Sequence, residues 1–136
     1  MIDLLSIQPH KVSRDLSGYI TYIYGAAKVG KTTLCSKFPN TLILAFERGY
    51  NTLAGVMVQD ITRWSEFKET IRELKKPEVR AKFDTIVIDT IDVAGSLCDK
   101  YICSQLGIDS IGDGGWKTNG WSKYKKELEE CFRTIT

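Results

Sequence analysis

The stretch from Ile23 to Leu34, "IYGAAKVGKTTL", decides how the rest of this sequence is interpreted. Residues Gly25 to Thr32 match the pattern G-x-x-x-x-G-K-[ST] in full. Glycines let the backbone bend until its N–H groups approach phosphate oxygens, and a following helix points its positive end at the same place. The pattern therefore predicts a loop that binds the phosphates of a nucleotide.

Each side chain of this loop has an expected part in nucleotide binding. Lys31 would reach the β- and γ-phosphates, and the Thr32 hydroxyl could hold Mg²⁺. The flanks agree with this, because Tyr19–Tyr24 is typical of a strand and Lys31–Phe38 of a helix. A structural glycine turn is the alternative. The residues expected at the nucleotide are Gly25, Ala26, Ala27, Lys28, Val29, Gly30, Lys31, Thr32 and Thr33.

Length and composition indicate an ordinary globular chain. The sequence has 136 residues, 43% hydrophobic and 26% charged, with a formal charge of +2. We expect a single domain over residues 1–136, of which 1–18 form an N-terminal extension. The start of the chain lacks the pattern of a signal peptide, and no run has the length of a membrane span, so we expect a cytoplasmic protein. The four cysteines form no C-x-x-C pair, which favours free thiols over zinc.

Strand and helix patterns alternate along the remaining sequence. The run "DTIVID" is continuously apolar, as in a strand covered on both faces of a parallel sheet. Helices are indicated where apolar residues recur every three or four positions. This alternation predicts an α/β fold with a mostly parallel sheet. The predicted strands are Thr41–Phe46, Val56–Ile61 and Asp84–Asp89, and the predicted helices are Trp64–Lys75, Val93–Leu106 and Trp121–Ile135.

Two acids stand where predicted strands end. If the strands are parallel, Glu47 and Asp89 emerge at the edge of the sheet that carries the phosphate loop. Asp89 would then hold Mg²⁺ together with Thr32, and Glu47 would act as general base toward the attacking water. The alternatives are a capping role for Asp89 and a solvated loop carboxylate for Glu47. Asp92 is expected to cap the helix that follows.

In this order the motifs resemble RecA-type recombination ATPases, and among them the phage nucleotide-binding proteins linked to single-strand annealing. The stretches "IYGAAKVGKTTLCSKFPNTLILAFERGYN", "FDTIVIDTID" and "GGWKTNGWSKYKKELEECF" carry the resemblance over about Tyr19–Phe132. It implies a P-loop NTPase of RecA-like three-layer αβα architecture that uses ATP and Mg²⁺. Lys31 and Glu47 would be catalytic, and Asp89 the Walker B acid.

The resemblance also bears on Lys28 and on the loop Gly107–Gly120. The phage group often has a lysine at the position of Lys28, which could steady the γ-phosphate or a neighbouring subunit's nucleotide, or lie free in solvent. The loop falls where RecA-like proteins contact DNA, so Trp116 and Lys117 are candidates for single-stranded nucleic acid. Trp121 is expected to pack into the core instead.

RecA-type sheets place a further strand between the phosphate-loop strand and the Walker B strand. The sequence stops at Thr136, where that strand would begin, so we expect a fold that is incomplete at its C-terminus. Truncation of a longer protein is the favoured explanation. A homo-oligomer or a partner chain that supplies the strand, or a topology with adjacent Walker strands, are the alternatives.

The expected function is that of an ATP-binding protein that hydrolyses ATP in phage-type DNA recombination or replication with single-stranded DNA. Hydrolysis would be weak if the core is incomplete. The alternatives are a nucleotide-dependent interaction module without turnover and a small nucleotide or metabolite kinase. If the chain is phage-encoded, it would act in the host cytoplasm.

Overall fold

A computed structural model describes residues 2–12 and 14–136. The elements follow one another as strands and helices from residue 31 onward. A short 3₁₀ helix, Gly115–Lys117, lies between the last two α-helices. The elements are α1 (Lys31–Cys35), β1 (Thr41–Ala45), β2 (Met57–Asp60), α2 (Trp64–Leu74), α3 (Pro77–Arg80), β3 (Thr85–Asp89), α4 (Ile91–Leu106) and α5 (Gly120–Ile135).

The three strands form one parallel sheet in the order β2-β1-β3. All five residues of the central strand β1 are buried, as expected for a strand between two neighbours and two covered faces. Ala45 is paired with Asp60 on one side and with Asp89 on the other, so the strands end side by side. The prediction of an α/β fold with a parallel sheet is confirmed.

Helices cover both faces of the sheet. Side chains alternate along β1, so Leu42, Leu44 and Phe46 join the core with the apolar faces of α2, α4 and α5. Thr41 points the other way, and its Oγ1 donates to the carbonyl oxygen of Phe38, 2.8 Å away, just after α1. The result is a thick helical layer on one face and the short helix α1 on the other.

The prediction of a strand over Tyr19–Tyr24 is wrong. Within the described residues these six positions belong to no strand, and β3, beyond which they were expected to extend the sheet, is one of its two edge strands. Ile20 is 81% exposed and Tyr24 82% exposed. A β-prone sequence becomes a strand only when a neighbouring strand accepts its backbone hydrogen bonds, and none of the described strands does so here.

Several predicted boundaries also change. The helix predicted to run to Phe38 ends at Cys35, because Lys37 and Phe38 donate their N–H groups three residues back in a tighter turn. Helix α4 begins at Ile91, so Thr90 occupies the N-cap position and Asp92 lies in the first turn. Pro77 opens α3 at a position where the missing N–H costs nothing.

Trp121 was predicted to pack into the core, and this is wrong. It is 65% exposed and borders an open groove between α4 and α5. An added Cβ at Gly120 would lie 2.2 Å from the Ile111 carbonyl oxygen, so only glycine fits this close approach to the preceding loop. The backbone of Gly120 thus takes the core position that was expected for the Trp121 side chain.

The prediction of free cysteines is confirmed. All four thiols are free, and burial raises the pKa of Cys98 to about 12 and that of Cys131 to about 11. Groups of three or more histidine, cysteine or acidic residues that could hold a metal do not occur in the described part of the chain. Nor does any helix there have the length and apolar character needed to cross a membrane.

Candidate nucleotide and metal site

The phosphate-loop sequence forms an arch in front of α1. Gly30 occupies the N-cap position with φ 99° and ψ 21°, a left-handed conformation that favours glycine. The Lys31 ammonium folds back into the arch, where Nζ donates to the carbonyl oxygens of Gly25 at 2.9 Å and Ala26 at 2.7 Å. Backbone oxygens therefore hold the positively charged Lys31 ammonium at the mouth of the loop.

The remaining loop residues face solvent. Lys28 adopts a left-handed φ of 63°, and Val29 is 63% exposed. Ala26, Ala27 and Thr33 are exposed as well. Among the described residues the Lys28 side chain has no hydrogen bond or ion pair, so its predicted roles stay predictions.

Thr32 and Asp89 meet at the centre of the site. Thr32 Oγ1 donates a hydrogen bond to Asp89 Oδ2 over 2.6 Å, although the two residues are 57 positions apart in the sequence. Both residues are partly buried. The pairing joins the first turn of α1 to the end of β3, which is the geometry that the motif spacing predicts.

The sheet explains why Asp89 reaches this point. Asp89 is paired with Ala45 at the end of β1, and its carbonyl oxygen accepts the N–H groups of Phe46 at 2.8 Å and Glu47 at 3.3 Å. The peptide bond that follows, between Asp89 and Thr90, is cis. Cys35 of α1 also lies close, since burial and then the negative charge of Asp89 raise the pKa of its thiol.

Glu47 stands at the same edge of the sheet, but its carboxylate does not join the pair. The residue is exposed, and in the described part of the chain its carboxylate has no hydrogen bond or ion pair. Its backbone is fixed by the bond to Asp89, so the side chain is anchored near the site and free to turn. Its role as general base stays a prediction.

Gly49 is a site residue that the sequence reasoning missed. A Cβ built on it would lie 3.7 Å from Thr32 Oγ1 and 4.0 Å from Asp89 Oδ2. The segment after β1 therefore passes directly beside the hydroxyl–carboxylate pair. The only signal in the sequence is a glycine two residues after a strand-end acid, in "AFERGY".

The residues present suit Mg²⁺. This cation prefers oxygen ligands, and its protein sites commonly use one or two side chains together with phosphate oxygens and water. Thr32 and Asp89 offer a hydroxyl and a carboxylate oxygen side by side.

The nucleic-acid candidates lie on the loop between α4 and α5. Trp116 is 86% exposed within the 3₁₀ helix, and Lys117 is exposed beside it. Trp121 borders a groove of about 410 Å³ between α4 and α5, which Asp92 and Asp99 also line. Two carboxylates make this groove unfavourable for phosphate, in contrast to the tip of the loop.

Comparison with known proteins places this geometry in a family. Residues 17–136 match the family model described as an AAA domain. The chain belongs to this family. The matched range contains both the phosphate loop and the Thr32–Asp89 pair, and the family indicates a P-loop nucleotide-binding, ATPase-like domain.

One curated relative is a prophage-derived protein. The chain is 33% identical over 131 residues to the SPbeta prophage-derived uncharacterized protein YorG of Bacillus subtilis strain 168. The alignment covers 95% of the chain and 41% of that protein, so the chain spans less than half of the relative's length. No solved structure matches significantly.

Proposed function

We propose that this chain binds ATP with Mg²⁺ at the phosphate loop and hydrolyses it. The hydrogen bond of 2.6 Å between Thr32 Oγ1 and Asp89 Oδ2 carries the proposal, because it joins the two residues that the motifs assign to the metal. A glycine turn with a purely structural role has no need of a hydroxyl–carboxylate pair beside its lysine. The family supports the same class of function.

On nucleotide binding, Lys31 would exchange the carbonyl oxygens of Gly25 and Ala26 for phosphate oxygens. The ammonium is already at the mouth of the arch, so the change requires a side-chain rotation only. Thr32 and Asp89 would hold Mg²⁺, which supplies positive charge to the β- and γ-phosphates. Glu47, anchored at the end of β1, would accept the proton of the attacking water.

The binding half of the proposal is tested with Lys31→Ala. We expect this variant to lose ATP affinity by at least about tenfold, because charge-assisted hydrogen bonds to phosphate are each strong. Lys37→Ala, an exposed lysine just after α1, is the matched control and should bind as the unmodified chain does. Unchanged binding of ATP and GTP by Lys31→Ala would refute the nucleotide site.

The hydrolytic half is tested with Glu47→Gln. Loss of the carboxylate should lower ATP turnover by roughly 10²- to 10⁴-fold while ATP affinity stays the same. Glu69→Gln, on the exposed side of α2, is the control. Equal turnover in the Glu47 variant would remove Glu47 from the mechanism and leave the binding site intact.

A finer part of the proposal is that ATP turnover serves phage-type recombination or replication on single-stranded DNA. Its support is the resemblance of the motifs, the prophage-derived relative and the exposed Trp116–Lys117 pair. Aromatic stacking together with a lysine is a common way to hold single strands. The acidic groove at Trp121 makes the tip of the loop the better contact.

Turnover measured with and without single-stranded DNA separates this role from the alternatives. Stimulation that is lost in the double variant Trp116→Ala, Lys117→Ala would support it. Single-strand binding by the double variant equal to that of the unmodified chain would contradict it. Turnover with a small phosphate acceptor would favour a kinase, and nucleotide binding without turnover would favour an interaction module.

We further propose that residues 1–136 act as one domain, with 1–18 as an extension. The described part of that extension is exposed throughout. The unpaired side of β3, the edge strand of the described sheet, would accommodate a strand from a second copy or a partner chain. Molar mass measured by light scattering with and without ATP tests self-association.

A further inference from the structure

Gly49 places the backbone beside both proposed metal ligands. A Cβ on Gly49 would lie 3.7 Å from Thr32 Oγ1 and 4.0 Å from Asp89 Oδ2. These two oxygens are themselves only 2.6 Å apart. A side chain at position 49 would therefore contact both groups at once.

Neither conformation nor crowding accounts for glycine at this position. Gly49 is not among the residues with positive φ, so an L-residue could adopt its backbone conformation. The two distances to an added Cβ are ordinary van der Waals contacts, so alanine would fit the structure without displacement. What alanine would remove is empty space next to the hydroxyl–carboxylate pair.

A Mg²⁺ ion held by Thr32 and Asp89 would need that space. Its ligands lie about 2.0–2.1 Å from the ion in an octahedron, so neighbouring ligand oxygens are about 3 Å apart. Thr32 Oγ1 and Asp89 Oδ2, at 2.6 Å, need to separate only slightly to become such neighbours. Waters or phosphate oxygens would fill the other positions, and one that touched both protein ligands would lie about 3 Å from each.

We infer that Gly49 is a positioning residue that keeps one side of the metal's coordination sphere open for a water or a phosphate oxygen. A methyl group in contact with both protein ligands would compete with that oxygen for the same volume. The inference rests on the proposed function, since it concerns the metal that accompanies ATP. It adds a specific requirement that neither the loop motif nor the acid at the end of β3 expresses.

The test compares metal-dependent and metal-free nucleotide binding in Gly49→Ala and Gly49→Val. Affinity for a non-hydrolysable ATP analogue is measured by calorimetry with Mg²⁺ and with EDTA, and Mn²⁺ binding to the same complex by electron paramagnetic resonance. We expect Gly49→Ala to lower the affinity for Mn²⁺ by about ten- to a hundredfold, as changes beside metal ligands do, and Gly49→Val to lower it further. Affinity in EDTA should stay within about twofold, because the phosphate loop is untouched.

Gly112→Ala is the matched control. It adds the same methyl group at a glycine that also lacks a positive φ, and its Cβ would meet only Trp121 Nε1, at 3.7 Å. The control should keep its full affinity for Mn²⁺. The melting temperature of nucleotide-free Gly49→Ala should stay the same or rise, since alanine restricts the unfolded chain more than glycine does.

The outcomes separate this inference from the proposed function. If the unmodified chain binds no nucleotide, both fall. If it binds in a Mg²⁺-dependent manner and Gly49→Ala retains full affinity for Mn²⁺, the inference falls and the proposed function stands. If Gly49→Ala melts at a lower temperature or loses affinity equally in EDTA, the role of Gly49 is structural and the inference is again overturned.

Discussion

The helical layer and the phosphate loop of this chain are built in different ways. In the layer, Trp64 and Phe67 of α2 are 2% and 0% exposed, and the Phe67 ring packs against Phe46, just after β1, and against Phe132 of α5. In the loop region, Tyr24 is 82% exposed and Leu34 54% exposed. The layer is held by apolar contacts from many elements, whereas the loop is held to the sheet by a few hydrogen bonds.

This difference separates stability from chemistry. Apolar burial supplies most of the free energy of folding, so the layer should determine whether the chain folds. The loop residues that would bind nucleotide can change position at small cost, as binding loops commonly do. Substitutions in the two regions should therefore have effects of different size on unfolding, and the following predictions test that order.

The largest effect is expected for Phe67→Ala. The Phe67 ring contacts Phe46, Trp64 and Phe132 at centroid distances of 5.3, 4.9 and 5.8 Å. Its removal leaves a cavity where α2 meets β1 and α5, which should cost about 3–5 kcal/mol of unfolding free energy. Denaturation with urea, followed by circular dichroism, measures this loss.

Trp121→Ala is the comparison that sharpens this prediction. It also removes a large aromatic ring, but one that is 65% exposed and meets Tyr124 edge to face at a centroid distance of 6.2 Å. The loss should be below about 1 kcal/mol, as for most surface substitutions. Equal losses for Trp121 and Phe67 would show that the groove between α4 and α5 is part of the core.

The fate of Trp121 shows where sequence reasoning reaches its limit. The periodicity of α5 is real, and Tyr124, Leu128, Cys131 and Phe132 all pack against the core. A periodic apolar stripe does not specify which of its residues other elements cover. The first turn of α5 lies beyond the elements that cover the rest of that helix. Tyr19–Tyr24 fails for a related reason, since a strand needs a neighbour that local sequence cannot specify.

The sequence predicts much more of the sheet and of the site geometry than of these two segments. Continuous apolar runs that end in acids indicated β1 and β3, and parallel pairing then brings the ends of both strands to the phosphate loop. The meeting of Thr32 with Asp89 follows from these two facts. Gly49 could not be found in this way, because its importance depends on a distance across the fold and not on a pattern.

Glu127→Gln should have the next largest effect. Glu127 Oε1 accepts hydrogen bonds from Lys68 Nζ at 2.8 Å and from Trp64 Nε1 at 3.0 Å, which ties α5 to α2. Burial tends to raise the pKa of this carboxyl, but the bonds from Lys68 and Trp64 outweigh it and lower the pKa overall. Loss of the charged partner should cost about 1–3 kcal/mol at neutral pH.

The pH dependence of this loss has a definite sign. Because the folded pKa of Glu127 lies below its ordinary value of 4.5, its stabilisation is complete above that value and is lost as the pH falls through the folded pKa. The hydrogen bond to Glu127 raises the pKa of Lys68, so the pair is also lost well above pH 10.5.

Glu129→Gln, whose pairing with Lys125 spans 3.7 Å at the surface, is the control and should cost less than about 0.5 kcal/mol. A gap between Glu127→Gln and the unmodified chain that does not shrink as the pH falls below 4.5 would contradict the role of the charge.

Thr32→Val addresses the loop side of the comparison. It keeps the shape of the side chain and removes the hydrogen bond to Asp89, which should cost only about 0.5–1.5 kcal/mol. Thr33→Val, whose hydroxyl makes no hydrogen bond within the described residues, is the control for stability. A loss for Thr32→Val as large as that of Phe67→Ala would mean that the loop is integral to the core.

The smallest effect is expected for Glu66→Gln at the start of α2. Its Oε2 accepts hydrogen bonds from the backbone N–H and hydroxyl of Thr62, at 2.8 and 3.0 Å, and from the N–H of Arg63 at 3.2 Å. The backbone bond from Thr62, the largest cause, and then the hydroxyl bond lower the pKa of Glu66 from 4.5 to about 2.

The glutamine variant can still accept hydrogen bonds but lacks the charge that favours a helix N-terminus. Its small loss in melting temperature should therefore be constant above pH 4.5 and disappear as the pH falls from 4.5 toward 2, whereas Glu69→Gln should show no such trend. A pH-independent loss would assign the effect of Glu66 to shape instead of charge.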